Sequence, residues 1–89
     1  MGAAVTLDLV YLARLREAFG MPGERLELPP GCATAGELRA LLASRGGAWA
    51  VELAPGRAVR IAVNHVLAEP DAALRPGDEV ALFPPVTGG

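Results

Sequence analysis

A single helix with both ends marked stands between stretches that alternate with a period of two, and that order leaves few folds open. Thr34-Ala35-Gly36-Glu37 fits a capping box, in which the Thr34 hydroxyl and the Glu37 carboxylate each accept from a backbone N–H of the helix start. Leu38, Leu41 and Leu42 then build an apolar stripe, with Arg39 and Arg45 outside it, and Gly46-Gly47 stops the helix. Ahead of this helix, Ala4 to Tyr11 reads AVTLDLVY, placing Val5, Leu7 and Leu9 on one face of a half-buried strand. Arg25 to Leu28 alternates again and pairs back on the first strand. Beyond the helix, Val59, Ile61 and Val63 alternate, and Asn64-His65 turns into a short strand at Val66 to Ala68. Arg75-Pro76-Gly77-Asp78 is a turn, and Glu79 to Phe83 is the last strand.

The smaller features fit the same frame. Leu12, Leu15 and Phe19 recur with helical spacing in a short amphipathic helix ended by Gly20. Met21-Pro22-Gly23 reads as a turn, Pro29-Pro30-Gly31 ends the second strand, and Trp49 and Val51 read as core pieces of an irregular segment. One helix against a small sheet is an α+β layout. An opening hairpin, a crossing helix and a closing strand resemble the β-grasp arrangement of ubiquitin-like proteins: a mixed sheet of about five strands packed against one main helix. Leu38, Leu41 and Leu42 are expected to face Val5, Leu7, Leu9, Ile61 and Val80 across the core. Residues 1–83 form the domain, and 84–89 form an extended C-terminal tail that ends in a flexible Gly-Gly.

Composition narrows the chemistry. At 89 residues the chain is too small to enclose a deep active-site cavity and a core together. Its net charge of −2, without a basic cluster, argues against nucleic acid, and its apolar runs are too short to cross a membrane. The start lacks the basic and apolar segments of a secretory signal, and a single cysteine, Cys32, suits a reducing cytoplasm. His65 is the sole histidine, so no histidine pair offers a metal site or a base relay. Cys32 has no nearby positive charge to activate it. Glu17, Glu24, Glu27, Glu37, Glu52, Asp71 and Asp78 are spread along polar positions and read as a solvated surface. All eight cationic side chains are arginine.

The last residues differ from the rest. Pro84 and Pro85 restrict their own φ and push their predecessors toward extended backbone, which makes a stiff arm after the strand. Val86, Thr87, Gly88 and Gly89 follow. Two glycines ahead of a carboxylate let an enzyme approach the backbone closely within a narrow channel. A terminal carboxylate, with a pKa of roughly 3.3–3.7, is ionised and unreactive at neutral pH. Adenylation would turn it into a mixed anhydride that a sulfur donor converts to a thiocarboxylate.

Leu74-Arg75-Pro76-Gly77-Asp78-Glu79-Val80-Ala81-Leu82-Phe83-Pro84-Pro85-Val86-Thr87-Gly88-Gly89, with Val10 to Glu17 and Ile61 to Asn64, resembles the small, sulfur-carrying subunit of molybdopterin synthase. The resemblance implies a specific role. Gly89 would be adenylated by an E1-like adenylyltransferase that uses ATP, and would then receive sulfur from a donor enzyme. The tail would enter the large subunit of molybdopterin synthase and deliver sulfur to cyclic pyranopterin monophosphate. Gly88 would provide clearance, Phe83 to Thr87 the inserted arm, and Leu82 with Phe83 an apolar surface for partners. No cofactor or metal is implied in the chain itself.

Three other readings use the same features. A thiamine-pathway carrier shares the fold and the diglycine, although such carriers usually lack the Leu12–Gly20 helix and the Phe-Pro-Pro arm. A ubiquitin-like modifier would join its diglycine to a target lysine. An interaction module would never activate the tail at all.

Overall fold

The computed structural model describes residues 5–85. In chain order the elements are β1 (Val5–Tyr11), α1 (Ala13–Phe19), β2 (Gly23–Leu28), α2 (Ala35–Ala43), α3 (Gly47–Glu52), β3 (Arg60–Val63), β4 (Val66–Leu67) and β5 (Glu79–Phe83). The strands form one sheet in the order β2-β1-β5-β3-β4. β5 runs parallel to β1, while β1–β2, β3–β5 and β3–β4 are antiparallel, so the sheet is mixed as the β-grasp reading expects.

The capping box forms. Glu37 N–H donates to the Thr34 hydroxyl at 3.2 Å, and Thr34 N–H donates to the Glu37 carboxylate at 3.0 Å. Ala33 N–H adds a third bond at 2.8 Å and is the main reason that the Glu37 carboxyl sits below its usual range. The buried stripe of α2 is Ala35, Leu38 and Leu42, spaced i, i+3, i+7. Leu41, expected in that stripe, turns to its flank and is only partly buried. Across from the helix lie Leu7, Leu9, Tyr11, Ile61, Val80 and Leu82, all buried, with Val5 partly so.

Two local readings need correction. Gly46 and Gly47, at φ 79° and 54°, do not stop α2, which already ends at Ala43 with Ser44 as its cap. They open a further helix, α3. Trp49 on α3 stacks on Phe19 at 3.8 Å and 8°, and Tyr11 meets Phe19 and Trp49 edge-on at 5.1 and 5.4 Å. Val51, on the outer side of the same helix, is 58% exposed and is no core piece. Gly23 belongs to β2 rather than to the turn before it.

Several polar residues expected on a solvated surface instead tie elements together. Arg45 donates to both oxygens of Glu24 at 2.7 and 3.0 Å, and Tyr11 donates its hydroxyl to the same carboxylate. Glu52, 9% exposed, accepts from Arg14 at 3.0 and 3.2 Å and from Arg57 at 3.1 Å, linking α1, α3 and the following loop. Arg39 donates to the carbonyls of Leu53, Ala54 and Arg57, which fastens that loop to α2. Asn64 and His65 take φ of 50° and 71°, the left-handed pair of a type I′ hairpin turn between β3 and β4.

Candidate functional site

The site grows from the end of β5. That strand lies between β1 and β3, so it is hydrogen-bonded on both sides. Its registers are Val10↔Ala81 and Tyr11↔Leu82 on one side, Arg60↔Phe83 and Ala62↔Ala81 on the other. Leu12 N–H donates to the Leu82 carbonyl at 3.1 Å, extending the pairing to the strand's last turn. The chain therefore leaves a fully braced strand where Pro84 begins.

Alternation along β5 separates the residues expected to meet partners. Val80 and Leu82 point into the core and have no accessible surface. Leu82 is therefore a core residue and presents no apolar surface to a partner, contrary to the expectation. Successive side chains of a strand face opposite sides, and the parity that exposes Phe83 must bury Leu82. Ala81 and Phe83 lie on the face of the sheet away from α2. Phe83, Pro84 and Pro85 are half-buried. Val86, Thr87, Gly88 and Gly89 lie outside the described residues.

The register extends the Phe83 surface across the sheet. Val10, Ala81, Ala62 and Leu67 are successive partners on β1, β5, β3 and β4, and together they form an apolar band on the face away from α2. Leu67 is 65% exposed, while Ala62 sits low among its neighbours. Phe83 adjoins the band two residues beyond Ala81, opposite Arg60. Small side chains in the middle and larger ones at the rim make a shallow apolar surface next to the strand end. Val10, Ala62 and Leu67 were not singled out by sequence reading. Their signal was the second phase of the same alternation that located the core.

The other candidate groups offer little reactivity. The Cys32 thiol is half-buried, and burial first, then the charge of Glu37, pushes its pKa up, so it holds its proton. Tyr11 is likewise shifted far upward by burial and by its bond to Glu24. His65 is exposed, with Nε2 3.6 Å from a Glu79 carboxylate oxygen. Among the described residues no three His, Cys, Asp or Glu side chains gather to hold a metal ion. No described helix is long and apolar enough to cross a membrane.

The ThiS family model matches residues 9–89. The chain belongs to the ThiS family. Within it, the chain is similar to the molybdopterin synthase sulfur carrier subunit of Haemophilus influenzae, at 39% identity over 83 residues covering 93% of this chain and 99% of that one. It is also similar to a Pyrococcus furiosus chain assigned as molybdopterin converting factor subunit 1. There the identity is 31%, the TM-score 0.76, and the coverage 92% of this chain and 99% of the other. SAMP1 of Haloferax volcanii shares the fold at TM-score 0.76 and 29% identity, with 94% and 99% covered. The resemblance to molybdopterin synthase small subunits is borne out, and the fold is the ubiquitin-like β-grasp.

Proposed function

We propose that this ThiS-family chain is the sulfur-carrying small subunit of molybdopterin synthase, acting through Gly89. The observation that carries the reading is a likeness to a sulfur carrier subunit that spans nearly the whole chain, joined to a family match that runs through Gly88 and Gly89.

The chemistry follows from the carboxylate. An E1-like adenylyltransferase directs the Gly89 carboxylate onto the α-phosphorus of ATP, with pyrophosphate leaving. Sulfide-level sulfur delivered by a donor enzyme then attacks the glycyl carbonyl, and AMP leaves with the former carboxylate oxygen. The thiocarboxylate sulfur then attacks a carbon of cyclic pyranopterin monophosphate inside the large subunit, in the cytoplasm, displacing an oxygen substituent. Water cleaves the resulting glycyl thioester, which leaves the sulfur on the pterin and returns the Gly89 carboxylate. This chain supplies no acid or base to these steps. It supplies a recognition face around Phe83 and a tail of set reach, which delivers the carbonyl to groups on the partner.

The test is to delete Gly88 and Gly89, attempt thiocarboxylation in vitro, and assay conversion of the pterin precursor with the large subunit present. Sulfur transfer should vanish while thermal stability stays near wild type, because the core is built from residues well before the tail. Normal conversion by the truncated chain would end the proposal.

The likeness to SAMP1 favours a second reading, attachment of the same terminus to a lysine of another protein. Incubation with ATP and an activating enzyme, followed by mass spectrometry for a glycyl-glycyl remnant on target lysines, separates the two. The carrier reading expects a thiocarboxylate on Gly89, and the modifier reading expects the isopeptide.

A further inference from the structure

β2 is an outer strand of the sheet, and its free edge carries a pattern of its own. Tyr11 N–H donates to the Pro22 carbonyl at 2.8 Å, which makes Tyr11↔Pro22 a hydrogen-bonded rung. In an antiparallel ladder such rungs alternate, so Leu9↔Glu24, Leu7↔Leu26 and Val5↔Leu28 are also hydrogen-bonded. The backbones of Val10, Asp8 and Thr6 then face β5. Two bonds agree with this: Asp8 N–H to the Asp78 carbonyl at 3.0 Å, and Gly77 N–H to the Thr6 carbonyl at 2.8 Å. By the same parity, the N–H and C=O groups of Gly23, Arg25 and Glu27 point outward. Among the described residues they find no hydrogen-bond partner. Pro22 and Pro29 bracket this edge, so it is open only from Gly23 to Leu28.

We propose that this edge pairs antiparallel with the same edge of a second copy, about a two-fold axis at Leu26. Only residues with outward backbones can bond each other, so a symmetric pairing must match odd positions with odd. Within the open edge five axes meet that condition, from Gly23 to Glu27; the one at Gly23 pairs only Gly23 with itself, and charge distinguishes the other four. An axis at Glu24 sets Glu24 against Glu24, an axis at Arg25 sets Arg25 against Arg25, and an axis at Glu27 sets Glu27 against Glu27. An axis at Leu26 instead sets Arg25 opposite Glu27 twice, with Leu26 meeting Leu26 between them. Arg25 already lies 3.3 Å from Asp8 on the same face, and Glu27 is exposed with no ion-pair partner among the described residues. Pairing would place Arg25 between Asp8 of its own chain and Glu27 of the other copy, within a continuous ten-stranded sheet, twice the five strands of one copy. β2 is separated from the β3–β4 side by β1 and β5, so the pairing leaves the Phe83 arm accessible. This inference does not depend on the proposed tail chemistry.

The contact is one strand wide, so the dimer is concentration-dependent, and sedimentation over a wide concentration range is the direct measurement. Arg25→Glu and Glu27→Arg should each raise the dimer dissociation constant roughly tenfold, because each change spoils both symmetry-related pairs. The double variant R25E/E27R restores complementarity and should return the constant toward wild type. Circular dichroism confirms that each variant is folded. As an independent readout, Leu26→Cys in a Cys32→Ser background should oxidise to a covalent dimer, since facing residues in a non-hydrogen-bonded rung lie within disulfide reach. A wild-type chain that stays monomeric overturns the proposal, as does a double variant no better than the singles. Slowed exchange of the Arg25 and Glu27 amides only when a different protein is added would assign the edge to that protein and overturn it equally.

Discussion

Arg45 grips Glu24 with both arms of its guanidinium, at 2.7 and 3.0 Å. The same guanidinium carbon lies 4.4 Å from the centroid of Trp49. One side chain thus joins the loop after α2 to β2 and to α3, and it holds the carboxylate that receives the Tyr11 hydroxyl. Replacing Arg45 with Ala should cost about 1.5–3 kcal/mol, the range for a hydrogen bond to a charged group, since Glu24 is left partly buried without its partner. Chemical denaturation of the variant measures it, and an unchanged midpoint would show that the pair is dispensable.

Acid should expose the same dependence. The Arg45 hydrogen bonds hold the Glu24 carboxyl below its usual range, and Arg14, then Arg57, do so for Glu52. A carboxyl whose pKa is lower in the folded state contributes stability above its unfolded value. That contribution is lost as pH falls from roughly 4.3 through the folded value. Glu52→Gln should be less stable than wild type at neutral pH, and the gap should narrow as the solution is acidified below that point. Urea melts from pH 7 downward test this, and parallel curves for the two proteins would contradict it.

The α2 stripe predicts a graded response. Leu38→Ala and Leu42→Ala each empty a fully buried site and should cost about 2–5 kcal/mol. Leu41→Ala removes a flanking side chain and should cost clearly less. Thermal melts of the three variants would refute this ordering if Leu41 proved the most sensitive.

Much of this was legible in the chain, and the failures have physical causes. The strands, α2 and its cap were visible because period and capping chemistry are local. The glycine pair at Gly46 misled because glycine in the left-handed region ends a helix or begins one, and only the Phe19–Trp49 stack decides which. Leu41 shares helical spacing with Leu38 and so reads as core from the sequence, but Ala35, a small residue, holds the third place in the stripe. Glu24 and Glu52 read as solvated because Arg45 and Arg14, which grip them, are 21 and 38 residues away in sequence, and the nearer Arg57 of Glu52 lies beyond the helix end. Leu82 and Phe83 were grouped as one apolar end, although alternation alone assigns them to opposite faces.

Their opposite orientation yields a sharp contrast. On the proposed function, Phe83→Arg should leave the fold intact and weaken binding to the large synthase subunit by about 2 kcal/mol or more. Leu82→Arg should fail to fold, because a charge would enter a fully buried site. Calorimetric titration and circular dichroism on the pair would overturn the assignment if Phe83→Arg bound as wild type does.

Two glycines near the first hairpin should also respond differently. Gly20 caps α1 at φ 71° with open space around it, so Gly20→Ala should cost only the roughly 1–2 kcal/mol of a left-handed residue. Gly23→Ala would drive its new methyl group into the Leu9 carbonyl and should disrupt the β1–β2 pairing far more. Comparable melting temperatures for the two variants would show that β2 yields more readily than its packing implies.

β5 is the middle strand of the sheet, and it runs parallel to β1 on one side and antiparallel to β3 on the other. A pull on the chain beyond Phe83 would therefore load both ladders lengthwise and strain many hydrogen bonds at once. An outer strand such as β2 or β4 would instead be peeled away one bond after another. Anything that draws in or releases the segment after Phe83 thus works against two ladders at once, and the domain behaves as a rigid handle with a fixed stop.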